Sequence, residues 1–271
     1  MPTTNELPRG KPLLAVAHPG HELRVYHWLE RARPDVMILT DGSGHSGRSR
    51  LARTIELLGR VGARPTELRG AVADQQLYAA VLRQDFALFV SLARRMAKVI
   101  DHGGYDYIVG DASEGTILGH DLFRGLLDTA IAAVRAKSGR EILNLDFPLE
   151  AEPDSVHPAL LAGTYRLELD PPAVERKLAA CRGYTELAHE VEAALRVYGR
   201  DAFALECLRP AISESGISPF IGLPAYEVHG AKAVAEGRYQ EVVRYQEHVR
   251  PVLEALYEAF SLPVGGGVAT A

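Results

Sequence analysis

Short apolar runs alternate with segments of helical periodicity along the first half of the chain. Residues 13–17 form an uninterrupted apolar run, which is typical of a strand buried on both faces. Residues 22–33 then place apolar side chains at helical spacing, and Pro34 ends that segment. The alternation continues with predicted strands at 36–40, 105–110 and 142–145, and with predicted helices at 48–61, at 76–100 and from His120 onward. Such an order indicates a parallel α/β sheet.

The second half of the chain has a less regular pattern. Residues 167–169 are a candidate strand, and helical periodicity covers residues 173–197 and 239–260. Between the two helical segments, residues 209–230 contain three prolines and three glycines. This composition predicts a long loop or cap that helps to shape a pocket.

Length and composition are those of an ordinary globular protein. The chain has 271 residues, 47% of them apolar and 24% charged, which suffices for a core without disulfides or a structural metal. We predict an α/β fold, a Rossmann-like three-layer sandwich with a mostly parallel sheet and a C-terminal helical extension. Residues 1–200 would form the α/β domain, and residues 201–271 a loop or cap and a C-terminal helix packed on it.

Charge, hydropathy and cysteine usage exclude several classes of function. A net charge of −5 argues against nucleic-acid binding, which needs a basic face. No apolar run approaches the roughly 18 to 20 residues of a membrane span, and residues 1–10 have no signal-peptide pattern, so we expect a cytoplasmic protein. Cys181 and Cys207 lie far from the histidines and are expected to be buried, reduced thiols. The sequence leaves a homo-oligomer open.

Histidines with metal-binding chemistry follow two of the predicted strands. His18 and His21 share the tight loop after the first strand, and His120 follows the strand at 105–110. Ligands of open parallel sheets bind at the carboxyl ends of the strands, so these side chains are expected to converge. Three imidazoles with an open fourth position suit catalytic zinc. The alternative is structural, because a lone loop histidine is often a helix cap or a surface residue.

The loop after the second strand is rich in glycine. It covers residues 41–47 and begins with Asp41. It lacks both the lysine pattern of a phosphate-binding P-loop and the glycine spacing of a dinucleotide site. A sugar-binding loop, with Asp41 as a substrate ligand, or simply a tight loop is the better interpretation.

The segment Ala17-His18-Pro19-Gly20-His21-Glu22 resembles the first motif of the PIG-L / LmbE-like family of zinc-dependent N-deacetylases, Ala-His-Pro-Asp-Asp-Glu. In that family the histidine and the second aspartate bind zinc, the first aspartate is the general base, and a later His-Pro-Asp-His segment supplies the third ligand. The resemblance implies that His18, His21 and His120 hold one zinc ion. It covers roughly residues 12–200 and is strongest in this first motif.

Two departures from the family pattern bear on the chemistry. Gly20 stands at the general-base position and has no side chain to take a proton, and Ile117 replaces the first histidine of the later motif. Asp111 and Glu114 are the candidate replacements for the base, because both leave a strand end toward the expected site. The resemblance also implies that Arg48 contacts the substrate.

Two functions of different classes follow. The first is a zinc-dependent amide hydrolase that removes the N-acetyl group of an amino sugar or glycoconjugate, a small-molecule substrate. The second is a metal-binding relative that no longer hydrolyses, and either binds a ligand or uses the metal as a Lewis acid for another transfer or rearrangement. The groups missing at Gly20 and Ile117 motivate the second, and the first remains the main prediction. A scaffold whose histidines bind nothing is the remaining alternative.

Overall fold

A single mixed sheet forms the centre of the molecule in a computed structural model that describes residues 6–262 apart from the side chain of His45. Within that range the strands are β1 Pro12–Val16, β2 Asp35–Thr40, β3 Arg64–Val72, β4 Tyr107–Asp111, β5 Leu143–Phe147, β6 Tyr165–Glu168 and β7 Leu205–Pro210. Their order is β3-β2-β1-β4-β5-β7-β6. The first five strands pair in parallel, and β7 is antiparallel to both β5 and β6. The predicted α/β class with a mostly parallel sheet is confirmed.

Helices cover both faces of the sheet and complete three layers. They are α1 Tyr26–Ala32, α2 Leu51–Val61, α3 Asp74–Leu82, α4 Phe86–Gly103, α5 Leu118–Ser138, α6 Pro171–Gly183, α7 Ala188–Tyr198, α8 Ala225–Ala235 and α9 Arg250–Ala259. One core cluster joins the sheet to α3, α4, α5 and α9, and a second joins it to α1, α2 and α6. The predicted C-terminal helix is therefore α9, whose Val252 and Leu256 pack in the first cluster.

Strand β1 illustrates why the central strands read as continuous apolar runs. Leu13 and Ala15 point into the first core cluster, whereas Leu14 and Val16 point into the second. All four side chains are buried because helices cover both faces of the sheet. The register places Leu14 opposite Val36 of β2 and Val109 of β4.

Two strands were not predicted from the sequence. In β3, exposed charged residues alternate with buried ones, and Pro65 reads as a helix breaker rather than as part of a strand. An edge strand tolerates both features, and β3 is the edge of the sheet. Strand β7 contains Glu206 and Arg209, two charged residues that are buried here because each pairs with an opposite charge.

The two longest predicted helices are each broken. The segment 76–100 divides into α3 and α4 at Gln84, whose φ of 52° is left-handed and ends a helix. The segment 173–197 divides into α6 and α7 at a short 3₁₀ turn, Thr185–Leu187. The predicted loop at 209–230 also contains the start of α8. None of the helices within residues 6–262 is long and apolar enough to cross a membrane.

The boundary expected at residue 200 stays a prediction. Strand β7 lies beyond it and pairs within the main sheet. Residues 1–5 and 263–271, which the predicted domains include, lie outside the described residues.

Candidate active site

Three histidine rings meet at the carboxyl edge of the parallel strands. His18 follows β1, His21 begins the 3₁₀ turn His21–Val25, and His120 is the third residue of α5. The ring centroids of His18 and His21 lie 5.1 Å apart, those of His18 and His120 5.5 Å, and those of His21 and His120 4.7 Å. The structure thus brings together the three residues that the sequence singled out, and their role as metal ligands stays a prediction.

The loop that presents His18 and His21 is fixed by a buried carboxylate. Glu22 accepts hydrogen bonds from the Gly20 amide at 2.7 Å and from the Thr54 hydroxyl at 2.6 Å. Burial raises the pKa of Glu22 despite these bonds. Gly20 has φ 108°, a backbone conformation that side-chain-bearing residues rarely adopt. Glu22 therefore has a structural role, and the turn requires glycine.

His18 is held through its Nδ1 atom. That atom lies 2.7 Å from Thr40 Oγ1 and 2.9 Å from Asp74 Oδ1. Because an ionised carboxylate only accepts hydrogen bonds, the Nδ1–H of His18 donates to Asp74. Nε2 is then the unprotonated nitrogen, whose lone pair can bind a metal ion. Burial opposes ionisation of Asp74, but hydrogen bonds from His18 and from the Gly44 amide outweigh it and hold the pKa of Asp74 well below its usual value.

Sequence reasoning missed Asp74. It begins α3 immediately after β3, the unpredicted edge strand. An aspartate at the start of a helix is common, because the helix dipole favours negative charge at the helix N-terminus in any protein. Such a residue therefore gives no sign of a functional role. Had β3 been predicted, Asp74 would have stood in one more loop at the carboxyl edge of the sheet, which is the signal that was available.

His21 is held through Nδ1 in the same manner. Its partner is Asp111 Oδ2, 2.7 Å away at the end of β4, and the same oxygen accepts from the Ala17 amide at 2.7 Å. The other oxygen, Asp111 Oδ1, is buried and has no hydrogen-bond partner among the described residues. Burial raises the pKa of Asp111 to about 6. Asp111 therefore orients one imidazole and retains one free oxygen.

Burial keeps two of the imidazoles neutral. It is the main reason that the pKa values of His21 and His120 lie well below the ordinary histidine value, and the neighbouring imidazoles lower them further. His120 Nδ1 is buried without a hydrogen-bond partner among the described residues. Gly119, beside it, passes so close to His18 that a Cβ there would lie 2.8 Å from His18 Nε2. Close packing of α5 on this loop therefore requires glycine.

The fit of the site to zinc depends on donor chemistry and position. Imidazole nitrogens at 2.0–2.1 Å around a tetrahedral ion place ring centroids about 5 Å apart, and the observed separations are 4.7 to 5.5 Å. Within residues 6–262, however, no three His, Cys, Asp or Glu side chains are arranged so that they could hold one metal ion. The histidines therefore match zinc in donor chemistry and in ring spacing only.

Glu114 is used elsewhere. Its two carboxylate oxygens accept hydrogen bonds from the amides of Leu149, Glu150 and Ala151 at 2.9 to 3.0 Å. Three bonds from one backbone segment occupy this carboxylate and anchor the loop that follows β5. Its proposed role as base stays a prediction, and of the two candidates only Asp111 contacts one of the three imidazoles.

The two predicted substrate ligands lie in the glycine-rich loop and its continuation. Asp41 Oδ1 accepts from the Ser43 amide at 3.0 Å, which is the bond of a tight turn. Arg48 is exposed. Arg50, two residues later, lines the same cavity as His21 and His120, and its Nε donates to the Gly42 carbonyl at 2.7 Å. Substrate binding by Asp41 and Arg48 stays a prediction, and sequence analysis singled out neither of the two arginines that line the cavity, Arg24 and Arg50.

A cavity of about 470 Å³ opens beside the histidines. Its lining includes His21 and His120, the loop of residues 147–153, and side chains of α6 and α7. The volume falls within the range of small-molecule sites. The arrangement therefore offers buried acid–base groups next to a space that can take a ligand.

The fold is similar to those of solved deacetylases. A deacetylase–bog complex from the teicoplanin biosynthesis pathway matches with a TM-score of 0.50 and 15% identity, over 74% of this chain and 97% of that chain. The A40926 pseudoaglycone deacetylase Dbv21 matches with a TM-score of 0.47 and 16% identity, over 75% and 97% of the two chains. The conserved protein TT1542 from Thermus thermophilus matches with a TM-score of 0.47 and 17% identity, over 80% and 98%. These identities are too low to extend the similarity beyond the fold.

No protein-family model matches the sequence, and no curated protein sequence matches it.

Proposed function

We propose that the protein is a zinc-dependent amide hydrolase that removes an N-acyl group, in the simplest case acetyl, from an amino-sugar-containing small molecule. The observation that carries the proposal is the cluster of three imidazoles at the strand ends, of which His18 and His120 are buried and His21 half-buried. Two of them, His18 and His21, are fixed through Nδ1 by buried carboxylates. Carboxylate–histidine pairs of this kind orient metal ligands in zinc enzymes.

His18, His21 and His120 would hold the ion. When bound, zinc would polarise the amide carbonyl and bring the pKa of a bound water to about 7. The hydrolysis adds water across the amide, breaks the C–N bond and leaves a carboxylate and an amine. The chain itself has to bind the substrate, exclude competing water and move the proton.

In this proposal Asp111 would move the proton. Its Oδ1 has no hydrogen-bond partner within residues 6–262, whereas Oδ2 is held by His21 and the Ala17 amide. Its pKa of about 6, raised by burial, lies close to that of an efficient general base at neutral pH. The carboxylate would take a proton from the attacking water on Oδ1 and pass it to the leaving amine.

Substrate recognition would use the cavity next to the imidazoles. Arg50 lines it, together with His21 and His120. The resemblance of residues 17–22 to the PIG-L / LmbE-like motif supports the amide as substrate, and the deacetylase fold that the teicoplanin-pathway structure shares agrees with it. A cytoplasmic location and the amino sugar remain parts of the proposal.

One observation favours a second candidate, a metal-binding protein that does not hydrolyse. A Cβ built on Gly20 would lie 2.4 Å from Leu187 Cδ1. The space next to the base position of the family motif is thus filled by a leucine from another part of the chain. A protein without hydrolysis would bind the same ligands or use the metal as a Lewis acid for another reaction.

Metal content and hydrolysis test the first proposal together. Protein loaded with zinc and then freed of excess metal should retain about one zinc per chain and release acetate and free amine from N-acetylglucosamine derivatives. His120→Ala should lose both properties. His102→Ala, a histidine exposed on α4, is the matched control and should keep both. A metal-free protein with no turnover on an amide panel would contradict the proposal, and one zinc with no turnover would favour the second candidate.

A further inference from the structure

The cavity beside the histidines has a wall made of hydrocarbon. Leu23 and Val25 from the turn after β1, Phe147 at the end of β5, Val191 and Ala194 of α7, and Phe203 all line it. These residues come from four separated parts of the chain, so the apolar surface is not a feature of one amphipathic helix. It belongs to the same cavity as His21 and His120.

The buried ion pair in this lining, Lys177 with Glu206, presents no unpaired charge, whereas the guanidinium groups of Arg24 and Arg50 donate to backbone carbonyls at the cavity. Lys177 Nζ donates to Glu206 Oε1 and to the Arg24 carbonyl, both at 2.8 Å. The two Glu206 oxygens also accept from the amides of His27 and Trp28 at 2.8 Å. This pair is therefore satisfied by the protein and leaves no charge that a ligand has to neutralise.

The two thiols of the lining also behave as apolar groups. Burial raises the pKa of Cys181 and that of Cys207 to about 11 in each case, so both remain protonated at neutral pH. A protonated buried thiol packs like a small hydrophobic side chain. The remaining lining carboxylates, Glu150, Glu152 and Glu190, are exposed to water.

Hydrocarbon also lies beside Gly20, in the loop that carries His18 and His21. Leu187 approaches Gly20 so closely that it fills the space where a side chain at position 20 would lie. On α7, Val197 is 71% exposed and Tyr198 is 45% exposed, although both line the cavity. Exposed apolar side chains that continue an apolar cavity lining are a feature of ligand-binding grooves. The apolar surface thus continues from the histidines to the mouth of the cavity.

We infer that this cavity binds the acyl chain of the substrate, and that the chain is a hydrocarbon of medium length, such as octanoyl, rather than acetyl. This inference rests on the proposed hydrolysis of an N-acyl amide. An acetyl group would leave most of the roughly 470 Å³ to water against an apolar wall. Each additional buried methylene strengthens binding by about fourfold. A longer acyl chain that buries its methylenes against the apolar wall should therefore bind more tightly than acetyl.

A substrate series with one variable tests the inference. The zinc-loaded protein is assayed with N-acetyl-, N-butanoyl- and N-octanoylglucosamine, and kcat/KM is measured for each. We expect kcat/KM to rise with chain length, by at least about 100-fold from acetyl to octanoyl. Equal values along the series, with measurable hydrolysis, would overturn the inference and leave the proposed function standing. A preference for N-phenylacetylglucosamine over the octanoyl compound would also overturn it.

Two variants locate the effect in the cavity. Ala194→Phe fills the wall, and Ala231→Phe places the same side chain at an exposed position of α8 as the control. The octanoyl-to-acetyl ratio of kcat/KM should fall at least tenfold in Ala194→Phe and stay within twofold in Ala231→Phe. Val197→Asp, at a side chain exposed enough to keep the fold, should lower the same ratio. An unchanged ratio in both cavity variants would contradict the inference.

A binding measurement separates failure of the inference from failure of the proposed function. Calorimetry with N-octanoylglucosamine and N-acetylglucosamine on the His120→Ala protein needs no turnover. Tighter binding of the octanoyl compound, lost in the Ala194→Phe/His120→Ala protein, would support the cavity assignment even if no amide is hydrolysed. No difference between the two ligands would overturn it.

Discussion

The two sides of the histidine cluster are built in opposite ways. On the sheet side, buried carboxylates hold the imidazoles by single short bonds, Asp74 to His18 and Asp111 to His21. On the helical side, Leu187 packs against Gly20 of the loop between two of the histidines, and apolar side chains of α7 line the same cavity as His21 and His120. In the proposed reaction, strand ends would position the polar groups, whereas the helices would supply the surface that selects the ligand. The comparison predicts that substitutions on the sheet side change rate or metal affinity and those on the helical side change selectivity.

Asp111→Asn is expected to have the largest effect. The amide keeps the size of the side chain but cannot take a proton on Oδ1, so kcat/KM should fall by about 10²–10⁴-fold. If Asp111 only orients His21, the loss should be about 10- to 100-fold and should appear mainly in zinc affinity. Initial rates and zinc titrations on the same preparation separate the two roles.

The matched control for this substitution is Asp121→Asn. Burial raises the pKa of Asp121 to about 6, as it does for Asp111, but its Oδ1 accepts from Ser113 and from two loop amides rather than from an imidazole. We expect less than a tenfold change in kcat/KM for the control. Equal losses in the two variants would show that a generic effect on a buried carboxylate, and not proton transfer, is being measured.

Restoring a carboxylate at position 20 would place an acidic group in the space that Leu187 now fills on the apolar side of the histidine cluster. Gly20→Asp alone should destabilise the fold by about 1–3 kcal/mol because φ is 108°, and it also overlaps Leu187. Leu187→Ala should relieve that overlap, so the double variant should be the more active of the two. With an additional base, kcat/KM should rise by up to about 10²-fold. Chemical denaturation and acetate release on both single variants and the double variant provide the comparison.

An unchanged or lower activity in the folded double variant would contradict this expectation. It would indicate that Asp111 already supplies the base, or that the protein does not hydrolyse amides. Leu187→Ala alone is the necessary control, because enlarging the cavity could by itself alter turnover.

The sheet side was largely predictable from the sequence, and the helical side was not. His18, His21 and Asp111 lie at or just after the ends of apolar runs, and His120 lies in the helix that follows the next loop, so local pattern suffices to find them. The lining of the cavity comes from α6, α7 and the loop after β5, whose positions depend on packing between segments far apart in the chain. No local pattern encodes such contacts.

The errors of prediction have the same physical origin. Strand β3 carries exposed charges in an alternating pattern because it is an edge, and β7 hides Glu206 and Arg209 in pairs with partners distant in sequence. Asp74 was missed because it follows the unpredicted edge strand. Arg50 was missed because the path of the loop, which the sequence does not reveal, decides whether Arg48 or Arg50 lines the cavity. Tertiary context, not propensity, decided each of these positions.

Asp74→Asn tests whether the second carboxylate acts like the first. The variant keeps an oxygen for the Gly44 amide or for His18 Nδ1, but it loses the negative charge that His18 faces at 2.9 Å. Zinc affinity should fall by about 10- to 100-fold, with little change in the rate of the fully zinc-loaded protein. Competition with a chelator of known affinity measures the first quantity, and rates at saturating zinc measure the second.

Asp85→Asn serves as the control, because Asp85 caps α4 through the Leu88 amide and contacts none of the three histidines. Its zinc affinity should match that of the unmodified protein. An unchanged zinc affinity in Asp74→Asn would contradict the role of Asp74 in orienting His18 as a zinc ligand.

Glu114→Gln is expected to have the smallest effect on the reaction. Its carboxylate anchors the loop of residues 149–151 through three amides, and glutamine has only one oxygen to offer them. We expect a loss of about 1–2 kcal/mol in the free energy of unfolding, because the bonds to a charged, half-buried acceptor are weakened. The loop lines the cavity, so the octanoyl-to-acetyl ratio of kcat/KM should change by a few fold while zinc affinity stays the same.

The Glu114→Gln variant also tests which of the two candidates, Asp111 or Glu114, is the general base. If Glu114 were the general base, Glu114→Gln would lower kcat/KM for every chain length by about 10²–10⁴-fold and leave selectivity alone. Glu141→Gln, an exposed glutamate outside the cavity lining, sets the baseline for both readouts. A uniform loss would move the base from the strand end to the loop anchor, whereas a change confined to selectivity and stability would place Glu114 with the cavity wall, as its three hydrogen bonds indicate.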